Sequence, residues 1–313
     1  MRHGRGVRTV NLEELWLQNT GLVDLSFLTG MESLSTLRVN SNSITDVSCL
    51  LNLNNLKQLY IYNNPTGHID IVLKNMAPFE GLGIDMSQLH NFETIGELGQ
   101  LFRLEIEGVH SERLQDIEFV NDFHNLKDLG QLCLYFHEIE DTSPLSVLVN
   151  LKELAIFSSL VVSIESIKDL EELTYLYLSN NRIEDISPVQ ALTNLRWLVI
   201  DHNEIDNISP LVANPGISSG DYVNMSNNYL DLTPGSQNMN DIQALLDRGV
   251  SVVYEPQREP GESAAAYVHC CKEQYSFWLE EQVYWCGMYP LEHRSMFQQI
   301  FLDKIDAGID DER

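Results

Sequence analysis

The chain contains few basic residues: 19 lysines and arginines stand against 46 aspartates and glutamates in 313 residues, a formal net charge of −27. Nucleic acids and anionic membranes are bound through lysine and arginine, which displace counterions or pair with headgroups. We therefore expect neither as a partner. The hydrophobic share of 43% is large enough to form a buried core, which excludes global disorder despite the charge.

Cysteines and long apolar runs are also scarce. An odd number of cysteines without framework spacing predicts reduced thiols; they are Cys49, Cys133, Cys270, Cys271 and Cys286. No stretch approaches the roughly 20 apolar residues that span a bilayer, so we expect no membrane insertion. No apolar run of signal-peptide length follows the basic residues 1–8, which favours a cytoplasmic location for the chain as it stands. A truncated N-terminus would favour an extracellular or cell-surface one.

One internal repeat dominates the sequence. Apolar residues recur at the first, fourth and sixth positions of segments that begin at Leu12, Leu34, Leu56, Phe79, Leu101, Leu129, Leu151, Leu173 and Leu195. The spacing is 22 or 23 residues except for 28 after Leu101, and a less regular tenth copy contains Val223. Each segment predicts a short strand whose leucines enter a core that only stacked repeats can complete.

The ninth position of the repeat carries a polar residue that can satisfy backbone groups where the chain leaves the strand. Asparagine occupies this position at Asn42, Asn64, Asn181, Asn203 and Asn228, and other residues occupy it at Thr20, Ser87, Val109, His137 and Ser159. The centre of the array is therefore expected to be less regular than its ends. The 28-residue spacing predicts an insertion at residues 110–121 that bulges from the array.

Residues 185–188 read Asp-Ile-Ser-Pro, and variants of this ending occur at 141–144 and 207–210. Repeats of 22 residues with this ending resemble the short-repeat leucine-rich class of internalin-type proteins and of the phosphatase-regulating subfamily, over about residues 12–255. The resemblance implies an α/β solenoid: a leucine-rich-repeat arc of about ten repeats with parallel strands on the concave face. It says little about function, because partners vary within the class.

Beyond the repeats the sequence predicts three further segments. A helix at 240–249 and a strand at 250–254 form an end cap that completes a solenoid over residues 1–255. Residues 256–262 are expected to be a linker. Residues 263–313 contain two amphipathic patterns and an acidic tail, which predict a C-terminal helical hairpin. Such a small unit is expected to dock on the solenoid, on a second copy or on a partner.

The third, fifth and seventh positions of each repeat point away from the core, because alternate side chains leave opposite faces of a strand. Nine aromatic residues lie at these positions, where the composition predicts about three; they are Trp16, Tyr60, Tyr62, Tyr135, Phe157, Tyr175, Tyr177, Trp197 and Tyr222. This excess predicts an exposed aromatic binding face. The alternative explanation is the ordinary preference of strands for aromatic residues.

Acidic residues share the predicted face with the aromatic ones. Glu105, Glu107 and Asp201 are expected to steer a basic partner, so the hypothetical ligand is a protein or peptide with basic and apolar groups. The leading hypothesis is a non-enzymatic interaction scaffold without a cofactor or metal. The alternatives are an internalin-like secreted or cell-surface adhesion protein and, more remotely, an enzyme or metal-binding regulatory module in the C-terminal hairpin.

Other chemical motifs are weak. Residues 216–220 match G-x-S-x-G, but the nucleophile elbow requires a strand before the serine and a helix after it, so we expect a loop. His269, His293 and the three cysteines of the hairpin lack the close spacing of a zinc site. The aspartates at the thirteenth position, such as Asp24 and Asp185, are expected to form turns rather than bind calcium.

Overall fold

A computed structural model describes residues 11–75, 79–108 and 113–258. The chain divides into two compact units, residues 1–262 and 263–313, and the described residues belong to the first. The predicted hairpin at 263–313 and its cysteines and histidines lie outside the described residues. No helix in the described ranges has both the length and the apolar character needed to cross a bilayer.

In the described part of the chain eleven short strands form one parallel sheet, in which the order of the strands is their order in the chain. The strands are Glu14–Trp16 (β1), Thr36–Arg38 (β2), Gln58–Tyr60 (β3), Gly81–Asp85 (β4), Arg103–Glu107 (β5), Gln131–Tyr135 (β6), Glu153–Phe157 (β7), Tyr175–Tyr177 (β8), Trp197–Val199 (β9), Tyr222–Asn224 (β10) and Ser251–Val253 (β11). Residues at the same repeat position lie side by side, as Leu15, Leu37 and Leu59 do. The predicted solenoid of stacked parallel strands is confirmed.

Short helices return the chain from one strand to the next. Within the described ranges four of these are α-helices: Asp70–Asn75 (α1), Glu93–Gly96 (α2), Ser209–Ala213 (α3) and Gln237–Asp247 (α4). The others are 3-10 helices at Ser26–Leu28, Ser48–Asn52, Met86–Gln88, Glu118–Asn125, Ser143–Val147, Glu165–Ile167 and Ser187–Ala191. The strand leucines and the apolar residues of these helices form one continuous core, which no single repeat could bury alone.

The aspartates at the thirteenth position form turns just before these helices. The amide of Ser26 donates to Asp24 Oδ1 at 2.8 Å, and the amide of Ser187 donates to Asp185 Oδ1 at 2.7 Å. Hydrogen bonds to the ionised carboxylate lower the pKa of Asp24. The predicted role of these residues in turns is confirmed.

The ninth-position asparagines form a ladder beneath the ends of the strands. Asn64 Nδ2 donates to the carbonyls of Val39 and Ile61, both at 2.9 Å, and its Oδ1 accepts from the amide of Ile44 at 3.0 Å. Asn181, like Asn64, joins its own repeat to the preceding one. Each asparagine thus supplies a buried acceptor and buried donors at a point where the backbone has left the sheet.

Residues of other types continue this ladder through the centre of the array. In the fourth repeat Gln88, rather than Ser87, donates to the carbonyl of Ile61 at 3.0 Å. His137 accepts from the amide of Leu114 through Nδ1 at 3.2 Å and lies 3.1 Å from the carbonyl of Ile106 through Nε2. These partners fix the neutral ring with its proton on Nε2. Burial lowers the pKa of His137 to about 4.

The insertion in the fifth repeat does not bulge over the whole predicted range of 110–121. Residues 109–112 lie outside the described residues, but Leu114, Ile117 and Val120 are buried in the core. With Phe123 these residues recur every three positions, which is the period of a 3-10 helix. The second half of the insertion therefore packs against the core.

The end of the solenoid contains α4 and β11, as the sequence predicts. The repeat nevertheless continues beyond residue 255: Gln257 Oε1 accepts from the amides of Asn228 and Leu230 at 3.1 and 3.2 Å. The amide of Arg258 donates to the carbonyl of Asn228 at 2.7 Å. Since Val252 pairs with Val223, Gln257 lies at the ninth position of an eleventh repeat. Residues 256–258, expected to begin the linker, belong to this last repeat.

Candidate protein-binding face

The sheet face, formed by the side chains at the third, fifth and seventh positions, lies opposite the leucine core. Eight of its nine aromatic residues form three groups along the sheet. In the first group, the Arg38 guanidinium lies 3.6 Å from the centre of the Tyr60 ring and 6.0 Å from that of Trp16. Because β1, β2 and β3 are in register, the three side chains form a continuous cation–π stack across them.

Tyr60 extends from β3 over the neighbouring strand β4. A Cβ atom at Gly83 would lie 2.4 Å from Tyr60 Cδ1, and one at Gly81 would lie 2.8 Å from its Oη. Two glycines at the third and fifth positions of one repeat therefore make room for the tyrosine ring. Their coincidence is the sequence signal that would have predicted this packing.

The second group joins three strands near the centre of the sheet. Tyr135 and Phe157 stack with their ring centres 5.7 Å apart, and Phe157 lies 5.9 Å from Tyr177. In the third group Trp197 stacks on Tyr222 at 4.0 Å, and Tyr175 is the partner of Trp197 in the ladder. Such ring pairs add to the stability gained by burial alone.

The prediction that all nine aromatic side chains are exposed is wrong. Trp16 is 40% exposed, and Tyr175 and Trp197 are partly exposed. The other six are at most 8% exposed; they are Tyr60, Tyr62, Tyr135, Phe157, Tyr177 and Tyr222. Strands spaced about 4.8 Å apart in register bring large side chains of successive repeats into contact, so the rings bury one another.

The acidic residues of the sheet face are also more buried and more fully hydrogen-bonded than expected. Glu105 is 1% exposed, and its Oε1 accepts from Arg103 Nε at 2.6 Å. Arg103 donates in turn to Gln131 Oε1 at 2.8 Å, and Gln131 donates to Glu153 at 3.0 Å. This polar chain crosses β5, β6 and β7. A buried, hydrogen-bonded carboxylate such as Glu105 acts at close range instead of steering a distant partner.

Asp201 is 2% exposed, and its carboxylate contacts the side chains of two neighbouring residues. Its Oδ1 accepts from Ser179 Oγ at 2.6 Å, and its Oδ2 lies 2.6 Å from His202 Nδ1. Activation of a serine nucleophile requires a base on the serine hydroxyl, with the acid behind that base. Here the aspartate lies between the serine and the histidine, so this arrangement positions side chains and does not form a catalytic triad. The expectation that Asp201 steers a partner as an exposed charge is likewise wrong.

Glu107, unlike Glu105 and Asp201, is partly exposed. It pairs with Asp85 in the β4–β5 ladder, and its Oε2 is buried without a hydrogen-bond partner. Burial, with smaller contributions from the charges of Asp85 and Glu105, raises the pKa of Glu107 to about 8. This carboxyl group therefore titrates near neutral pH.

The weaker motifs lie elsewhere in the structure. The segment 216–220 is a loop, as expected: the amide of Gly216 bonds to Asn214 and that of Ser218 bonds to Asp221, so no strand precedes the serine. Cys49 and Cys133 are free thiols. Among the described residues no three histidine, cysteine, aspartate or glutamate side chains are arranged to hold a metal ion.

Comparison with known proteins supports the repeat assignment. Residues 171–213 match the family model for leucine-rich repeats in two copies. No curated protein sequence matches the chain. An internalin (inlF) from Listeria monocytogenes is similar in structure, with a TM-score of 0.58 and 21% identity, over 80% of this chain and 83% of that one.

A second similar structure is the functional domain of InlJ from Listeria monocytogenes. Its TM-score is 0.51 at 17% identity, and the likeness covers 79% of this chain and 54% of that one. At such identities the likeness is one of fold. The repeat spacing, the asparagine ladder, the single parallel sheet and these comparisons together show that the chain has a leucine-rich-repeat solenoid fold similar to that of the internalin structures.

Proposed function

We propose that the chain is a non-enzymatic scaffold that binds a protein or peptide on the sheet face. The supporting observation is the placement of Trp16, Tyr175 and Trp197, three partly exposed aromatic side chains, on one continuous sheet. Aromatic anchors surrounded by well-packed neighbours dominate the binding energy of protein interfaces. The leucine-rich-repeat fold is typical of protein-binding scaffolds, which agrees with this proposal.

The buried rings and the acidic residues have separate parts in this proposal. Tyr222 supports the Trp197 ring at 4.0 Å, and Arg38 joins Trp16 to Tyr60. Anchors that are already held in place lose little conformational entropy when the partner binds. The carboxylates, chiefly Glu105 and Glu107, favour a partner with basic groups beside its apolar ones.

The proposal is tested by affinity capture with the full-length protein, followed by measurement of Kd for the captured partner. We expect the triple substitution Trp16→Ala, Tyr175→Ala and Trp197→Ala to weaken binding at least thirtyfold, because loss of even one anchor costs about 2 kcal/mol. Phe27→Ala is the control, since Phe27 is 42% exposed and lies in a 3-10 helix away from the sheet face. Unchanged binding by a folded triple variant would refute the proposal.

A further inference from the structure

The sheet face has a recess beside the centre of β5. β4 contributes no side chains at its third and fifth positions, because these are Gly81 and Gly83. In the ladder Gly83 pairs with Glu105, and Asp85 pairs with Glu107. The two glutamates therefore stand next to a strand whose outward surface is covered by the Tyr60 ring and by the side chain of Gln58.

Two carboxylate oxygens in this recess have no hydrogen-bond partner. Both Glu105 Oε2 and Glu107 Oε2 are shielded from solvent and unpaired. A buried carboxylate oxygen without a donor is costly, because it has lost its bonds to water and gained none in exchange. No side chain donates to either oxygen, although Arg103 Nη2 is itself buried without an acceptor.

The neighbouring charges do not supply these donors. Asp85 already accepts from the amide of Asn63 at 2.8 Å and from Ser87 Oγ at 2.5 Å. Arg103 Nε bonds to the other oxygen of Glu105, at 2.6 Å. With Asp85 and Glu105 ionised against Arg103, this cluster carries a local net charge of −1, which becomes −2 when Glu107 ionises at a pH above about 8. A cation with N–H donors matches both the two unpaired oxygens and the negative charge of the cluster.

We propose that Glu105 and Glu107 together form a seat for a single lysine or arginine side chain of the partner protein. This inference rests on the proposed protein-binding function. The incoming ammonium or guanidinium group donates to Glu105 Oε2 and Glu107 Oε2, and it enters from the side on which Glu107 is exposed. The tyrosine rings beside the glutamates suit this cation, because aromatic faces attract positive charge.

The test uses small cations on the full-length protein. Butylammonium chloride, which imitates a lysine side chain, is titrated while the side-chain carboxyl 13C resonances of Glu105 and Glu107 are followed by NMR. We expect a saturable shift of both resonances at millimolar concentrations. Tetramethylammonium carries the same charge without N–H donors and is expected to produce no saturable shift.

Two variants test the assignment to these residues. Glu107→Gln is expected to weaken butylammonium binding at least tenfold, whereas Glu184→Gln, at an exposed glutamate of a connecting turn, is expected to leave it unchanged. Butylammonium is also expected to raise the Tm of the wild type and not that of Glu107→Gln, because ligands stabilise the state that binds them. The comparison of the two cations on the wild type needs no variant to fold.

The pH dependence gives an independent readout. The groups that face Glu107 are Asp85 on β4, Glu105 on β5, Tyr62 after β3 and Tyr135 on β6. Glu107 must be ionised to receive a cation, so apparent affinity is expected to rise between pH 7 and pH 9 and then level off.

Equal effects of butylammonium and tetramethylammonium would overturn the proposal, and so would tighter binding of Mg²⁺ or Ca²⁺ at the same resonances. Either result would leave the protein-binding role of Trp16, Tyr175 and Trp197 standing, because the triple variant tests that role separately. Conversely, butylammonium binding combined with unchanged partner binding by the triple variant would keep the cation seat and refute the aromatic anchors.

Discussion

At the scale of single residues, His137 shows how the fold accommodates an exception to its own pattern. The neutral ring presents an acceptor at Nδ1 and a donor at Nε2, which are the two functions of a ladder asparagine. Asparagine performs them at any pH, whereas histidine performs them only while it is neutral. The substitution therefore adds a pH dependence to a buried structural position.

We expect His137 to make folding sensitive to acid. Its pKa falls from 6.5 in the unfolded chain to about 4 in the folded protein, so protons bind preferentially to the unfolded state between these values. The stability it contributes is complete above pH 6.5 and is lost by about 3 kcal/mol as pH falls to 4. His137→Asn is expected to remove this loss, measured by urea unfolding at pH 4.5 and 7.5. An unchanged difference between the two pH values in the variant would contradict this account.

Gly83 is a second residue whose role depends on its neighbour. We expect Gly83→Ala to destabilise the protein by about 1–3 kcal/mol, because the added methyl group overlaps the buried Tyr60 ring. Gly99→Ala is the matched control: the nearest atom to its Cβ, the carbonyl oxygen of Asn125, is 4.0 Å away. Equal free energies of unfolding for the two variants, measured in urea, would show that the Tyr60 packing is not required.

At the scale of elements, the ladder defines where the solenoid ends. Gln257 carries the ladder past β11, although no leucine pattern accompanies it. Its longer side chain spans the same gap as the asparagines do in earlier repeats. The last repeat is thus completed by these hydrogen bonds together with the packing of Val252 and Tyr254 against the core.

Removal of this last rung is expected to loosen the end of the solenoid. Gln257→Ala leaves the amides of Asn228 and Leu230 without their acceptor, at a cost of about 1–3 kcal/mol. We expect faster hydrogen exchange at these two amides, while amides in β5 remain protected. Gln243→Ala, which removes an exposed bond to Asp247 in α4, is the control and should change neither. Undiminished protection at Asn228 would refute a capping role for Gln257.

The elements differ in how far the sequence predicted them. The register of the strands, the asparagine ladder and the turns before the helices followed from Leu37, Asn64 and Asp185, because a repeat presents the same local problem many times. The burial of Tyr60 did not follow, since it depends on glycines in the next strand. The role of Gln88 escaped prediction for a similar reason: a longer side chain one position later can reach the same carbonyl. Both features depend on contacts between side chains of neighbouring repeats, which the pattern within a single repeat does not reveal.

At the scale of the whole molecule, the net charge of −27 opposes compact folding through self-repulsion. The Debye length falls from about 30 Å at 0.01 M salt to about 8 Å at 0.15 M, which screens most of this repulsion. We expect the Tm to rise by about 2–4 °C over this range of NaCl, equivalent to about 1 kcal/mol.

An uncharged osmolyte at matched osmolality should reproduce little of this rise in Tm. This control separates the screening of charges by salt from the exclusion of solute from the protein surface. Exposed ion pairs such as Lys57–Glu80 weaken in salt and act in the opposite direction, but such pairs contribute little. A Tm that falls between 0.01 and 0.15 M NaCl would mean that attractive surface pairs outweigh the repulsion.

The strand order of the sheet has a consequence for how such a chain can vary in length. Because each strand pairs only with the strands that precede and follow it in the chain, no contact in the sheet joins distant repeats. Gain or loss of one 22-residue unit would create a single new junction and leave the other junctions as they were. The aromatic groups and the acidic recess each span only two to four neighbouring strands. Each of these features could therefore be moved along the solenoid or duplicated together with its repeats. The distance between two such features would then change in steps of one strand spacing.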